Sequence, residues 1–542
     1  MTYRNKNVYR GMLIAGVALL PCVAGAQVLP GGDSQASQRI DGYYDQRRLQ
    51  PVPGALSDPL QEVAPANDGK EGTEGNARLY LAAVRFTASE LLPAEALAAV
   101  GARFEGREVS LAELDQLVTE VNGLYEARGI TTAKAMLREQ SIEDGQVEVT
   151  LLEGRLGALQ VTGEGRVSES FVRRRVRQQE GQVVRSDQLR DDLVYLNRTS
   201  DVQVQALLRP GQQAGQTDIV LMTKAPAAGN WGVFVDNAGV ETTGRERYGV
   251  QGQLWGLAGV NDLLSGSVAY SRGGLEGRIS YSGLVNTRNG RLGATVSRSQ
   301  INIIDGAYRD LDITGESTNY GLEYVQPWIA GQRWLLSTLA SASRSSSISE
   351  IAGVQVSETD STILTLGVSA GYRNDGRDWS FYQGVSRVTA DETLATGRTF
   401  TVANGNTAWT QRLGGSGLLY RAQLGWQFTS GDFLPPGNLF QVGGIGSVRG
   451  YVRGALSGVR GYFGSVELHR PYLQGHDVYL FVDHGQVRGD FPVSESISSV
   501  GVGLNGQFAR RYSYSLDLGH PLDDVLKDQD TVRVDFRLGA RW

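Results

Sequence analysis

The sequence holds a single cysteine, Cys22, in 542 residues, and only 15 prolines and five lysines. One thiol excludes a disulfide framework, so packing and hydrogen bonds must carry the stability. Scarce proline excludes Pro-rich disorder and collagen-like repeats. No apolar run of the ~20 residues that a membrane helix needs occurs beyond the extreme N-terminus. Hydrophobic residues make up 41%, with mean hydropathy −0.24, which excludes a helical membrane protein. Charge of one sign is also lacking: 52 Lys and Arg stand against 58 Asp and Glu, so this is no strongly basic nucleic-acid binder. What is plentiful is glycine, 70 residues, nearly twice the usual ~7%.

The N-terminus reads as an export signal over residues 1–26. Arg4, Lys6 and Arg10 form a positive region, Gly11 to Val23 is apolar, and Ala24-Gly25-Ala26 is an A-x-A cleavage site. Cleavage between Ala26 and Gln27 removes the only cysteine. A rival lipid-anchor signal, Leu19-Leu20-Pro21-Cys22, fits less well, because Pro21 stands where a small flexible residue belongs.

Residues 27–50 are polar with one helical candidate, Ser34–Leu49, and 51–78, with Pro at 51, 53, 59 and 65, read as a linker. Residues 79–226 then mix strand and helix. Tyr80–Phe86 has strand character. Ser110 and Glu113 form a capping box ahead of Leu111, Leu114, Leu117, Val118, Val121, Leu124 and Tyr125 at helical spacing. Strands near 133–137 and 147–152 complete a first α+β module, 79–154. A second, 155–226, carries helices expected over 168–178 and 187–196. The basic run Arg173 to Arg177 is read as a solvated helix face, not a nucleic-acid site.

From Gly229 to Trp542 the helical signal disappears, and short alternating segments separated by turns remain. In the last one Val532, Val534, Phe536, Leu538, Ala540 and Trp542 share one face, and Arg533, Asp535, Arg537 and Arg541 the other. A soluble sandwich also alternates, so one strand decides nothing. The number of segments, the glycine content and the export signal together favour a transmembrane β-barrel, closed because lipid offers no partner to an edge strand. At about 20 residues per spanning strand and turn, 229–542 give about 16 strands, one of them hidden within 392–417.

Several stretches carry a family resemblance. Gly443-Gly444-Ile445-Gly446-Ser447-Val448-Arg449-Gly450-Tyr451 resembles the VRGY/F motif in the long loop before strand twelve of the TpsB outer-membrane transporters of two-partner secretion. These are the filamentous-haemagglutinin/haemolysin secretion type within the Omp85 superfamily. Phe481-Val482-Asp483 resembles their F-x-D motif on strand thirteen. Asp236, Asn237 and Gly239, followed by Gly244, resemble their first barrel hairpin. Thr131-Thr132-Ala133 and Val147–Gly154 resemble the end of a POTRA module, and Phe536 and Trp542 the C-terminal aromatic signal of outer-membrane barrels.

The resemblance implies a transmembrane β-barrel of about 16 antiparallel strands, preceded by two periplasmic α+β POTRA modules and an N-terminal plug helix. It implies a monomeric protein-conducting pore in outer-membrane lipid, without cofactor or nucleic acid. Its partner would be a large TpsA-type exoprotein: an adhesin, cytolysin or contact-dependent toxin. An Omp85-type assembly factor is the alternative, disfavoured by room for only two POTRA modules. The resemblance also implies that Arg449 turns into the lumen and pairs with Asp483. Strand parity agrees, placing Tyr479, Phe481 and Asp483 inward and Val478, Leu480 and Val482 toward lipid. Val459-Arg460-Gly461-Tyr462 is a second VRGY. It lacks the preceding glycines, and Arg460 shares parity with Tyr462, Val466 and Leu468, which look lipid-facing. Catalytic look-alikes fail on context. Gly367-Val368-Ser369-Ala370-Gly371 matches G-x-S-x-G but sits in an alternating β run, not a strand–turn–helix. His469, His476, His484 and His520 lack zinc-site spacing. No catalytic or metal residue is expected.

Overall fold

The computed structural model describes residues 58–62 and 78–542, apart from 143, 165–166, 214, 260, 394, 490–492, 510 and 528. The expected cleavage site at Ala26 and Gln27, the plug helix within 27–50 and most of the linker lie outside the described residues. Two compact units divide the rest, one over Ser57–Pro226 and one over Ala227–Trp542.

In the first unit, strand Ala83–Phe86 runs parallel to Gln146–Glu153, which pairs antiparallel with Ala133–Leu137. Helix Leu111–Ala127 packs Leu114, Leu117, Val121 and Tyr125 onto Leu81, Val109, Val147 and Val149. Its N-terminus is held by the Ser110–Glu113 capping box, both halves of which form. Arg107 bonds the same Glu113 carboxylate and, with the Ser110 amide, holds it down from the ordinary 4.5 to about 2. The second module joins strands Arg155–Glu164, Gln203–Pro210 and Gln216–Lys224 under helix Ser186–Thr199. The modules are tied where Thr131 N–H donates to Ser186 Oγ at 3.2 Å and Thr132 Oγ1 to the Val184 carbonyl at 3.0 Å.

Three local expectations change. The segment read as one strand, Tyr80–Phe86, is two: Arg78–Leu81 pairs with Arg107–Ser110, and the chain changes sheet at Ala82, whose N–H goes to Gly145. The helix expected over 168–178 stops at Arg173. The Asp192 carboxylate takes both the Arg177 amide, at 2.9 Å, and the Arg177 guanidinium, which pulls the backbone off the helical path. The linker expected over 51–78 is not uniformly irregular: Leu60–Glu62 is a strand, added parallel to the edge strand Gln203–Pro210.

The second unit is a closed barrel of sixteen antiparallel strands. Numbered within the barrel, β1 is Gly229–Asp236, β2 Arg247–Trp255, β3 Leu263–Ser271, β4 Gly274–Leu284 and β5 Arg291–Asn302. Five long strands follow: β6 Ile313–Ala330, β7 Trp334–Ile351, β8 Val354–Asn374, β9 Arg377–Glu392 and β10 Ala395–Leu413. The last six are β11 Leu418–Thr429, β12 Arg460–Leu473, β13 His476–Arg488, β14 Glu495–Phe508, β15 Tyr512–Pro521 and β16 Arg533–Arg541. The strand hidden in 392–417 is β10. Side chains alternate across the wall. On β13 Val478, Leu480 and Val482 are exposed on the outer face, while Tyr479, Phe481 and Asp483 are buried inside. Every strand finds two neighbours, so no edge remains to meet lipid.

Candidate functional site

The chain between β11 and β12 does not project outward as an open loop. It turns into the barrel as a small hairpin, Phe440–Val442 against Leu456–Gly458, with its tip over residues 443–455. Val442, Val448, Tyr451 and Leu456 form an apolar core with Phe463 of β12, Val487 of β13 and Ile497 of β14. Gly450 has φ +86°, which favours glycine. A Cβ there would also come within 3.1 Å of the Gly519 backbone on β15, so two glycines let the tip lie directly on the wall.

Arg449 fills the seat this creates and is 2% exposed. Its Nε and Nη2 each donate at 2.7 Å to one oxygen of Asp483, a planar two-pronged match, and its own amide adds a third bond at 3.0 Å. Its Nη1 donates to Glu467 Oε1 at 2.7 Å and to Asp517 Oδ1 at 3.2 Å, and its Nη2 also reaches Ser465 Oγ at 2.9 Å. The guanidinium lies 3.6 Å over the Phe481 ring. Phe481 and Tyr479 rest on bare backbone: a Cβ on Gly501 would come within 2.3 Å of Phe481, and one on Gly503 within 2.0 Å of Tyr479. Tyr451 completes the tip. Its hydroxyl donates to the Ser498 carbonyl at 2.8 Å and accepts the Asp523 amide at 3.0 Å.

Val448, Arg449, Gly450, Tyr451, Phe481 and Asp483 thus meet at one place. Arg460 lies elsewhere, on Asp432 at 2.7 Å, with 38% of its side chain exposed. Sequence reasoning missed Glu467, Ser465 and Asp517. Their signal was parity, since each falls on the inward face of its strand.

The hairpin residues and the C-terminal aromatics meet at a second place, the β1–β16 seam. Asp236 is buried between Arg247 at 2.8 Å and Arg537 at 3.0 Å. Asn237 donates to the Val534 carbonyl at 2.7 Å and accepts the Phe536 amide at 2.8 Å. Trp542 exchanges backbone bonds with Trp231. Gly239 and Gly244 turn the hairpin; a Cβ on Gly239 would sit 2.2 Å from the Gly244 carbonyl oxygen. Ser369 lies within β8, so no nucleophile elbow forms around it. The four histidines have separate partners: Asp477 and Glu467 for His469, Tyr514 for His476, Ser498 for His484 and the Thr531 carbonyl for His520.

A closed sixteen-stranded barrel with an inward, arginine-tipped loop, and two small α+β modules before it in the chain, define an Omp85-type outer-membrane transporter. The chain belongs to the haemolysin secretion/activation protein ShlB/FhaC/HecB family, whose model matches residues 215–506. A ShlB-type POTRA domain model matches residues 79–154. Among curated relatives, the heme/hemopexin transporter protein HuxB of Haemophilus influenzae strain 86-028NP is 26% identical over 468 residues, covering 80% of this chain and 82% of HuxB. The outer membrane transporter CdiB of Dickeya dadantii strain 3937 is 27% identical over 238 residues, covering 44% of this chain and 41% of CdiB. In fold, the solved structure of CdiB from Escherichia coli matches with TM-score 0.69 at 17% identity, covering 95% of this chain and all of that one. The protein is therefore a protein-conducting pore of two-partner secretion in the outer membrane, with its POTRA modules in the periplasm, a reading the family match supports over that of an assembly factor. The family is one of transporters, not enzymes.

Proposed function

We propose that the pore passes a large, unfolded TpsA-type exoprotein and that the loop over 430–459 is its internal lid, latched by Arg449. The cargo is of the adhesin, cytolysin or contact-dependent toxin class. The transporter works as a monomer in outer-membrane lipid, without cofactor or catalytic step, and folding of the cargo outside drives export. Residues 1–26 are removed as a signal, and 27–50 plug the resting pore. The POTRA modules capture cargo by strand addition. That edge chemistry is supported by Leu60–Glu62, an extended segment lying against Gln203–Pro210.

The observation that carries the lid reading is the number of bonds that one buried arginine makes to three carboxylates. Truncating one partner of a buried ion pair costs about 3–5 kcal/mol. Arg449→Ala and Asp483→Ala are therefore expected to give similar losses of exoprotein secretion with the barrel still inserted, and the double variant little more than either. Arg460→Ala is expected to be near neutral, because exposed pairs contribute about 0–1 kcal/mol. Secretion and single-channel conductance of the four variants test this. Normal secretion by Arg449→Ala alongside failure of Arg460→Ala would move the latch to the other motif, and fully additive Arg449 and Asp483 defects would dissolve the pair.

A further inference from the structure

Three carboxylates converge on Arg449, and the excess negative charge needs an answer. It lies one step further along β12. His469 shares the lumen face with Glu467 two residues away and is fully buried. Its Nε2 is 2.8 Å from Glu467 Oε2, and its Nδ1 bonds the Asp477 carboxylate of β13. Each ring nitrogen therefore faces a carboxylate oxygen, one on its own strand and one on the next. The ring also stacks on Tyr479, with centroids 4.5 Å apart and planes at 24°. The Tyr479 hydroxyl in turn donates to Asp517 Oδ1 at 2.8 Å. Glu467 and Asp517 are the two acceptors of Arg449 Nη1. His469 therefore stands behind both, bonded to one and stacked on the tyrosine that holds the other.

We propose that His469 is a positioning residue of the latch, fixing Glu467 and Tyr479 in the geometry that Arg449 Nη1 requires. The inference rests on the lid reading above. Without His469, the Glu467 carboxylate loses the donor that orients Oε2. Arg421 of β11 is its register partner, which puts a second arginine opposite Glu467 on the neighbouring strand. Arg449 then loses an aligned acceptor while Asp483 stays in place, so the lid is weakened and not abolished.

The test uses the purified full chain in planar bilayers, counting large channel openings in salt solution without cargo, with heat-modifiable gel migration to check the barrel. His469→Gln leaves a single amide donor in a similar volume. It should raise the opening frequency on the order of tenfold, the scale of one lost hydrogen bond to a charged group. His469→Arg supplies several N–H donors at the same place and should bring the frequency back toward that of the native protein. In an Arg449→Ala background, His469→Gln should add nothing, whereas a merely structural role would add in full. If His469→Gln fails to assemble, Asp477→Asn removes the charge that pins Nδ1 from the next strand and should also raise the frequency. No rise in whichever of these variants assembles, or full additivity with Arg449→Ala, would overturn the inference. An unchanged Arg449→Ala would instead defeat the lid reading itself.

Discussion

The two sides of the barrel lumen are built from different chemistry. Strands β12 to β16 present Glu467, His469, Tyr479, Phe481, Asp483, Asp517, Asp535 and Arg537 inward, nearly all fully buried and bonded to one another or to the loop. Strands β6 to β8, at 18, 18 and 21 residues, are far longer than β15 and β16, at 10 and 9. Their inward positions include Ser341, Ser343, Ser345, Ser347 and Ser349 in succession on β7, flanked by Ser317 and Asn319 on β6 and by Ser361 and Thr365 on β8. One side is a dry seat in which these side chains hold one another in place. The other carries a run of hydroxyls suited to staying wet, where one serine carries little energy. The same kind of residue therefore has different worth on the two sides.

The sharpest way to break that contrast is one substitution made twice. A Cβ on Gly501 of β14 would meet the Leu518 carbonyl oxygen at 2.2 Å and Phe481 at 2.3 Å, whereas one on Gly321 of β6 finds nothing nearer than Ser343 Cβ at 3.9 Å. Gly501→Val should cost at least the ~1–3 kcal/mol of overpacking and dislodge Phe481 from Arg449. Gly321→Val should be neutral or mildly stabilising in a strand. Thermal unfolding followed on gels compares them, and equal effects would erase the distinction. A gentler pair uses serine. Ser465→Ala removes an acceptor from a buried guanidinium and should lose about 1–3 kcal/mol in urea unfolding, while Ser345→Ala should stay within about 0.5 kcal/mol. If Ser345→Ala proved as costly, the hydroxyl side would be a packed surface after all.

The smallest effect lies outside the barrel. Glu113 is held at about 2 by Arg107 and the Ser110 amide, against an ordinary 4.5. A depressed carboxylate contributes stability that is present above the unfolded value and lost as pH falls through the folded one. Thermal unfolding of the periplasmic modules should therefore weaken modestly between pH 4.5 and 2, and Arg107→Ala should shift that loss to higher pH. An unshifted profile would remove Arg107 as the cause.

Much of this contrast was legible in the sequence, because a period of two along a strand determines which residues share its inward face. Asp517 alternates with Leu516 and Leu518, and the serine run on β7 alternates in the same way. What alternation cannot give is register. Whether Glu467, Asp483 and Asp517 stand at one height depends on how three strands are staggered, which no local pattern records. The periplasmic modules failed differently. The helix expected beyond Arg173 is cut short by Asp192, which takes the Arg177 amide from 15 residues further on, and Leu60–Glu62 became a strand through a partner more than 140 residues away. Both are long-range contacts overriding local propensity.

The loop tip touches four consecutive strands: Ser465 and Glu467 on β12, Asp483 on β13, Ser498 on β14, and Asp517 with Gly519 on β15. A zipper along one strand can peel a rung at a time, each step small. A rivet through four plates cannot. Because the arginine's bonds on β12, β13 and β15 share one rigid guanidinium, the tip cannot leave one of these strands while keeping its hold on the others. Departure of the tip is a single rare event with an exponential waiting time, and lowering the strength of any one plate shortens that wait without introducing halfway stops.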